Sequence, residues 1–266
     1  MEEGLKQRQF GRQAFGLDPA GYDTARPAYP AWVFDFLCEH CGLAPQTATF
    51  EIGAGTGTAT RQLLKLGASP LIAIEPDIRL ATFLRRTNPD AGLSIVNMPF
   101  EDAPLPECSF DLGLSATAFH WLDEDLSLAK VARLLRPTAW WAMLWNVFGD
   151  HDYPDPFHEA TKSLLGPPLG PSGGTNGMPF ALDVEARLTA MKRIDAFDSI
   201  EHRTSKWTLD LDTEQTLELY ATYSNINIRP DRNEVLDHLR RIVVDEFQGR
   251  VTRHMITSLY VARRSR

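Results

Sequence analysis

The sequence predicts an α/β fold built on a parallel sheet, and three observations carry that expectation. Strand-like and helix-like segments alternate from residue 31 to residue 145, a pattern that calls for right-handed crossovers between parallel strands. The segment LIAIE, 71–75, is a continuous apolar run ending in an acid, as a strand covered on both faces requires. The stretch TATFEIGAGTGTAT, 47–60, runs a β-branched segment through Glu51 into Gly53, Gly55 and Gly57. Glycine weakens a strand interior, so three at period two imply a gain from bare backbone, such as a ligand lying against it.

The elements follow in order. Residues 1–30 read as an irregular arm ending in RPAYP. AWVFDFLCEHC, 31–41, has helical periodicity and stops at Gly42. Thr49–Ile52 reads as a strand, Thr58–Leu66 as a helix stopped by Gly67, and 71–75 as the second strand. Asp77–Arg86 reads as a helix, Leu93–Val96 and FDLGLSA (110–116) as strands, Asp123–Leu135 as a helix and AWWAMLW (139–145) as a strand. Residues 149–180 are rich in Gly and Pro, and the expected reading is a loop excursion over one end of the sheet, part lid and part cap. Strand signal returns at 194–208, helices are expected near 213–224 and 231–247, and ITSLYVAR (256–263) alternates as a final strand. The division expected is an arm at 1–30, a ligand-binding core at 31–148, a cap insertion at 149–190, and at 191–266 the rest of the core sheet with lid helices.

Bulk composition narrows the function classes. The chain has 266 residues, 43% hydrophobic and 23% charged, with a net charge of −8. Non-specific nucleic-acid binding needs a basic surface, so no nucleic-acid partner is expected. No apolar run reaches the roughly 18 residues of a spanning helix, and MEEGLKQRQF has no apolar core of a secretory signal. Three cysteines, an odd and low count, suit a reducing cytoplasm. Cys38 and Cys41 flank His40 in a C-x-x-C, but with no second ligand pair nearby they read as small packing residues on one helix face. His151, His158, His202, His238 and His254 show no metal spacing, so no metal is expected.

The glycine turn sits where α/β proteins bind nucleotides, at the carboxyl end of the first strand. A dinucleotide fingerprint would place its third glycine at 58, and that residue is Thr58. An acid beside the turn repels a diphosphate and suits a cationic ligand. Glu75, at the tip of the second strand, can accept both hydroxyls of a ribose. A ribose, no pyrophosphate and a positive charge together describe S-adenosyl-L-methionine.

On these blocks the chain resembles the class I S-adenosylmethionine-dependent methyltransferases, in their small-molecule branch around trans-aconitate methyltransferase. The likeness rests on FEIGAGTGTAT, IAIEPD, FEDAPLPECSFDLGLSATAFHWLD, RLLRPTAWWAMLWN, LYATYSNI and the arm FGLDPAGYDTARPAYP. It implies a Rossmann-like fold: a mostly parallel seven-stranded sheet with helices on both faces, plus a cap. Two departures stand out. Thr138 and Ala139 replace the family's Gly-Gly, which bears on the turn before the fifth strand. Pro99 replaces the family's usual Asp, which leaves the Phe100 N–H with Glu101 or Asp102 to meet the adenine.

The resemblance implies roles. Gly53, Ala54, Gly55, Gly57 and Thr58 line the cofactor, Glu51 lies near its methionine ammonium, and Glu75 with Pro76 holds its ribose. Ser115 and Ala116 offer backbone carbonyls to the ammonium, and Tyr22 and Arg26 close on the carboxylate. His120 stands at the transfer point as a cofactor or substrate contact or as a proton acceptor. Trp121, Trp145 and Tyr153 are candidate acceptor contacts. The expected reaction is in-line methyl transfer to a small-molecule O, N or carboxyl acceptor by a monomer or homodimer. A protein of this fold that binds the ligand without transferring the methyl is the alternative, since cofactor motifs report binding and not turnover. A nicotinamide oxidoreductase is the other, and Thr58 counts against it.

Overall fold

The structure is a computed structural model and describes residues 15–166 and 178–266. The expectations for residues 1–14 and 167–177 lie outside the described residues. Seven strands form one sheet in the order β3-β2-β1-β4-β5-β7-β6. They are β1 Thr49–Ile52, β2 Leu71–Ile74, β3 Leu93–Val96, β4 Phe110–Ala116, β5 Leu135–Phe148, β6 Phe197–Asp212 and β7 Arg250–Arg264. The first five run parallel, and β7 is antiparallel to both β5 and β6. The strand order reverses on either side of β1, so β1 and β4 flank the crevice where such folds bind ligands.

Continuous apolar runs occur because the sheet is buried on both faces. In β5, Trp141, Met143 and Trp145 join one core cluster while Ala142 and Leu144 join the other. β7 divides the same way, with Tyr260 and Ala262 opposite Leu259 and Val261. The helices are α1 Pro19–Ala25, α2 Ala31–Cys41, α3 Thr58–Lys65, α4 Ile78–Thr87, α5 Glu124–Leu134, α6 Pro156–Leu165, α7 Val184–Arg193, α8 Thr213–Ala221, α9 Ser224–Asn227 and α10 Arg232–Asp245. Residues of α2 and α3 (Val33, Leu37, Leu63) fill one face, and residues of α5 and α7 (Leu128, Val131, Met191) fill the other. Cys41 is buried in the α2 core and Cys38 packs against it. Aspartate caps recur at helix starts: Asp77, Asp123, Asp155 and Asp183 each accept a backbone N–H of the first turn.

The stretch 149–180 differs from the loop expected there. It contains α6, whose Phe157 and Leu165 pack with Leu217, Tyr220, Leu239 and Val243 of α8 and α10 into a satellite core. Beyond it, α7 is a core helix of the main sheet, with Ala190 and Met191 almost fully buried. The Gly/Pro-rich composition of the neighbouring chain masks both helices, although Asp155 and Asp183 signal their starts.

The start of β5 carries a conformation that its side chain does not favour, where the register with β4 shifts between Leu135 and Trp140. Thr138 has φ 68°, a left-handed backbone that costs a non-glycine residue about 1–2 kcal/mol. Thr138→Gly is expected to stabilise the protein by up to about 1 kcal/mol, net of the greater chain entropy of glycine. Ala139→Gly should destabilise it, because Ala139 is buried and has no positive φ. Thermal melts of the two variants check the contrast.

Candidate functional site

The site forms where β1, β2 and β4 end. Gly53, Gly55 and Gly57 have φ of 69°, 58° and 97°, all in the region that glycine alone adopts freely. They differ in what a Cβ would meet. At Gly53 it would lie 2.4 Å from the Ala118 Cβ, and at Gly57 2.4 Å from Leu84 Cδ1. At Gly55 it would meet nothing within 4 Å. The outer two glycines therefore permit close packing as well as the turn, and Gly55 is the one that opens onto free space.

Glu75 is 5% exposed and is held from both sides. Its Oε2 accepts the Gly55 N–H at 2.8 Å and its Oε1 accepts the Asp77 N–H at 2.8 Å. Asn97 Nδ2 donates to the backbone carbonyls of Glu75 (2.8 Å) and Pro76 (3.1 Å), fixing the strand tip. Glu51 is 1% exposed and accepts Thr60 Oγ1–H at 2.6 Å. Burial is the main cause that pushes its carboxyl up to about 8; the Thr60 bond opposes the rise and the nearby Glu75 charge adds to it. Ser115 is buried and donates to the Ile52 carbonyl at 3.1 Å, linking the ends of β4 and β1.

The arm closes over these strand ends. Asp23 on α1 pairs with Arg61 at 2.8 Å, and Arg61 also donates to the Thr56 carbonyl of the glycine turn at 3.1 Å. The Arg26 guanidinium lies 5.0 Å from the Tyr22 ring centroid and 4.9 Å from that of Tyr223, and donates to the Thr222 carbonyl at 3.4 Å. Its Nε and the Tyr223 hydroxyl are both sealed from solvent without a hydrogen-bond partner among the described residues. Tyr29 Oη sits 2.8 Å from Thr117 Oγ1, and burial raises its phenol well above the ordinary range. Asn146 of β5 donates to the Ala28 carbonyl at 3.2 Å while accepting from Thr257 at 2.7 Å. Tyr29, Arg61, Asn146 and Tyr223 escape sequence reasoning, because only the fold brings their partners to them.

His120 follows in a short turn after β4. It is 7% exposed, and its Nδ1 accepts the Trp145 indole N–H at 3.0 Å. Burial pushes its pKa down to about 3, so the ring is neutral at pH 7. Trp121 lies 5.1 Å from the His120 ring and 5.9 Å from Phe15 of the arm. Trp145 touches Phe180 and Tyr260.

One expected contact, Tyr153, is placed otherwise. Tyr153 is 52% exposed and stacks on His254 with Lys206 over its ring, so it joins a surface cluster and not the aromatic group around His120. The Phe100 side chain is core, parallel to Phe50. Glu101 is exposed. What shapes that segment is Lys130, whose Nζ is within 2.6, 3.0 and 2.8 Å of the Phe100, Glu101 and Ala103 carbonyls. Among the described residues no group of three could hold a metal, and no helix is long and apolar enough to cross a membrane.

Fold and site together define a doubly wound α/β protein with a glycine-turn crevice at its switch point. A family described as a methyltransferase domain matches residues 50–143. An uncharacterised methyltransferase from Mycobacterium tuberculosis is 27% identical over 234 residues, covering 86% of this chain and 85% of that one. A putative type II methyltransferase from Anaeromyxobacter dehalogenans has a similar fold, with TM-score 0.63, 20% identity and coverage of 90% and 97% of the two chains. A Haemonchus contortus N-methyltransferase, solved with phosphomonomethylethanolamine and S-adenosylhomocysteine, aligns with TM-score 0.56 and 12% identity over 93% of this chain and 57% of that one. Residues 50–143 match a methyltransferase domain, and the comparisons together support a class I S-adenosylmethionine-dependent methyltransferase. The narrower likeness to the trans-aconitate branch is not carried by these comparisons.

Proposed function

We propose that this chain methylates a small-molecule acceptor by in-line displacement, with S-adenosylmethionine seated between the Gly55 backbone and the Glu75 carboxylate. The observation that carries this reading is Gly55: its α-carbon faces open space while its N–H is held by Glu75. The residues fit the group. The Gly55 and Asp77 N–H groups hold the Glu75 carboxylate at the tip of β2, where an acid suits the hydroxyls of a ribose. Glu51 supplies a buried acid for an ammonium, and the unpartnered Arg26 Nε and Tyr223 hydroxyl suit a carboxylate. Bound there, the sulfonium supplies an electrophilic methyl group. The chain's part is to exclude water with the arm, hold the two reactants in line, and present the aromatic wall of His120, Trp121 and Trp145 to the acceptor. The Haemonchus relative's small-molecule ligand supports an acceptor of that size. We further propose a cytoplasmic protein, monomeric or homodimeric, that acts on no nucleic acid. Its units are an arm at 1–30, a cofactor core at 31–148, a cap at 149–190 whose last helix, α7, docks on the main sheet, and a C-terminal part at 191–266.

The experiment is calorimetric titration with S-adenosylhomocysteine, followed by labelled methyl transfer to a panel of small acceptors. Absence of binding at millimolar ligand overturns the reading. Lys130 gives a second check, because the adenine is expected against segment 100–103. Lys130→Met removes a donor shared by three carbonyls, and a loss of about 1 kcal/mol, or three- to tenfold in affinity, is expected. Faster amide exchange over 100–103 with unchanged affinity would place the adenine elsewhere.

A further inference from the structure

Histidine near a transfer point invites the role of proton acceptor. The hydrogen bonding at His120 argues for the reverse. An indole nitrogen only donates, and Trp145 Nε1 stands 3.0 Å from His120 Nδ1. Nδ1 must then carry the lone pair, and a neutral imidazole has one proton, which sits on Nε2. No described residue forms a hydrogen bond with Nε2. Trp145 is itself held: it is 3% exposed, its ring lies 5.7 Å from Phe180 and 6.2 Å from Tyr260, and Tyr260 Oη donates to the Ala181 carbonyl at 2.8 Å. The rings of Trp121 and Phe180, 5.1 and 6.2 Å from His120, complete an apolar collar. Burial alone depresses the basicity of His120.

We propose that Trp145 is a positioning residue that fixes His120 as the tautomer protonated at Nε2, so that His120 meets the acceptor as a neutral hydrogen-bond donor and takes no proton from it. The inference rests on the methyl-transfer reading above and specifies its acceptor. With no base at this point, the attacking atom has to arrive without a proton to lose, and a fixed Nε2–H donor favours an anionic oxygen over an uncharged amine, so the site selects an acceptor already anionic at neutral pH. The displacement then balances by itself. The anion's lone pair forms the new bond to carbon, the carbon–sulfur bond breaks with its pair going to sulfur, and the negative and positive charges cancel. The Nε2–H holds an oxygen of the acceptor in the apolar collar, where a fixed donor is worth more than in water. His120 lies two residues beyond Ala118, whose Cβ packs where Gly53 has none, so the donor stands beside the turn that carries the methyl donor.

The test is nitrogen-15 NMR of the full chain labelled at histidine, with the His120 signals assigned by their loss in His120→Asn. The expected result is a pyrrole-type Nε2 and a pyridine-type Nδ1 that do not change from pH 5 to pH 9. A proton on Nδ1, or titration inside that range, overturns the proposal, and the wild-type spectrum decides this without any variant. In Trp145→Phe, Nδ1 loses its donor, and a mixture of tautomers is expected. If that variant misfolds, an acetate titration of wild-type protein loaded with S-adenosylhomocysteine takes its place. Acetate should shift the His120 Nε2–H signal and methylammonium should not; no shift with acetate overturns the donor role. Calorimetry on the same sample separates the two readings. Failure to bind S-adenosylhomocysteine removes the methyltransferase reading, while binding with a titrating His120 removes only this inference.

Discussion

Glu75→Ala is expected to weaken S-adenosylhomocysteine binding by roughly a hundredfold to ten-thousandfold, the loss of two charge-assisted hydrogen bonds worth about 1.5–3 kcal/mol each. The same change leaves the N–H groups of Gly55 and Asp77 without their present acceptors, so a fall in stability of about 1–3 kcal/mol accompanies it. These effects are separable. Glu75→Gln keeps one carbonyl oxygen and turns an amide toward a backbone donor, so it should lose affinity by a smaller factor and melt between wild type and Glu75→Ala. Calorimetry and thermal melts on the three proteins make the comparison. Melting points that fall while affinity stays within about threefold would reduce Glu75 to a buttress of the glycine turn and end its assignment to the ribose.

Glu51→Gln is expected to move stability and affinity in opposite directions. Burial, opposed by the Thr60 hydrogen bond, raises the Glu51 carboxyl to about 8 in the folded protein. The folded chain therefore holds a proton that the unfolded chain gives up at lower pH. The stability tied to this site is fully present below the unfolded carboxylate pKa of about 4.3 and is lost as pH rises through about 8. Glutamine cannot ionise, so the ligand-free variant should melt higher than wild type at pH 9, by roughly 2–8 °C, and match it near pH 4. For the ligand the sign reverses. An ammonium beside Glu51 favours the carboxylate, so binding near pH 6.5 should expel up to one proton. That proton appears as a binding heat that changes between buffers of different ionisation enthalpy. In Glu51→Gln the buffer dependence should vanish and affinity fall by about tenfold to a hundredfold. Buffer-independent heat in the wild type would place the ammonium elsewhere.

The proton on Glu51 and the tautomer of His120 share one cause. Both groups sit under the closed arm at the ends of β1 and β4, where water has little access. In water the acid would be ionised and the imidazole would exchange freely between its two tautomers. Here burial keeps the acid protonated and a single indole chooses the nitrogen. The chemistry of this crevice is thus set by neighbours far away in sequence, 25 residues off in the case of Trp145.

The sequence by itself determined the parallel core of the sheet, the position of the turn and the acid at each of the first two strand tips. These are local signals. Period-two glycines, an apolar run closed by Glu75 and helix stops at Gly42 and Gly67 are each legible within a dozen residues, because backbone conformation and burial on both faces leave a direct mark on composition. Helices α6 and α7 were hidden by the Gly and Pro between them, though Asp155 and Asp183 marked their starts. Only the tertiary structure decided which glycine opens onto free space, that Tyr153 stacks on His254 away from His120, that Lys130 gathers the carbonyls of 100–103, and which nitrogen of His120 is free. Each of these depends on the distance between residues that only folding brings together, and no local pattern encodes that distance.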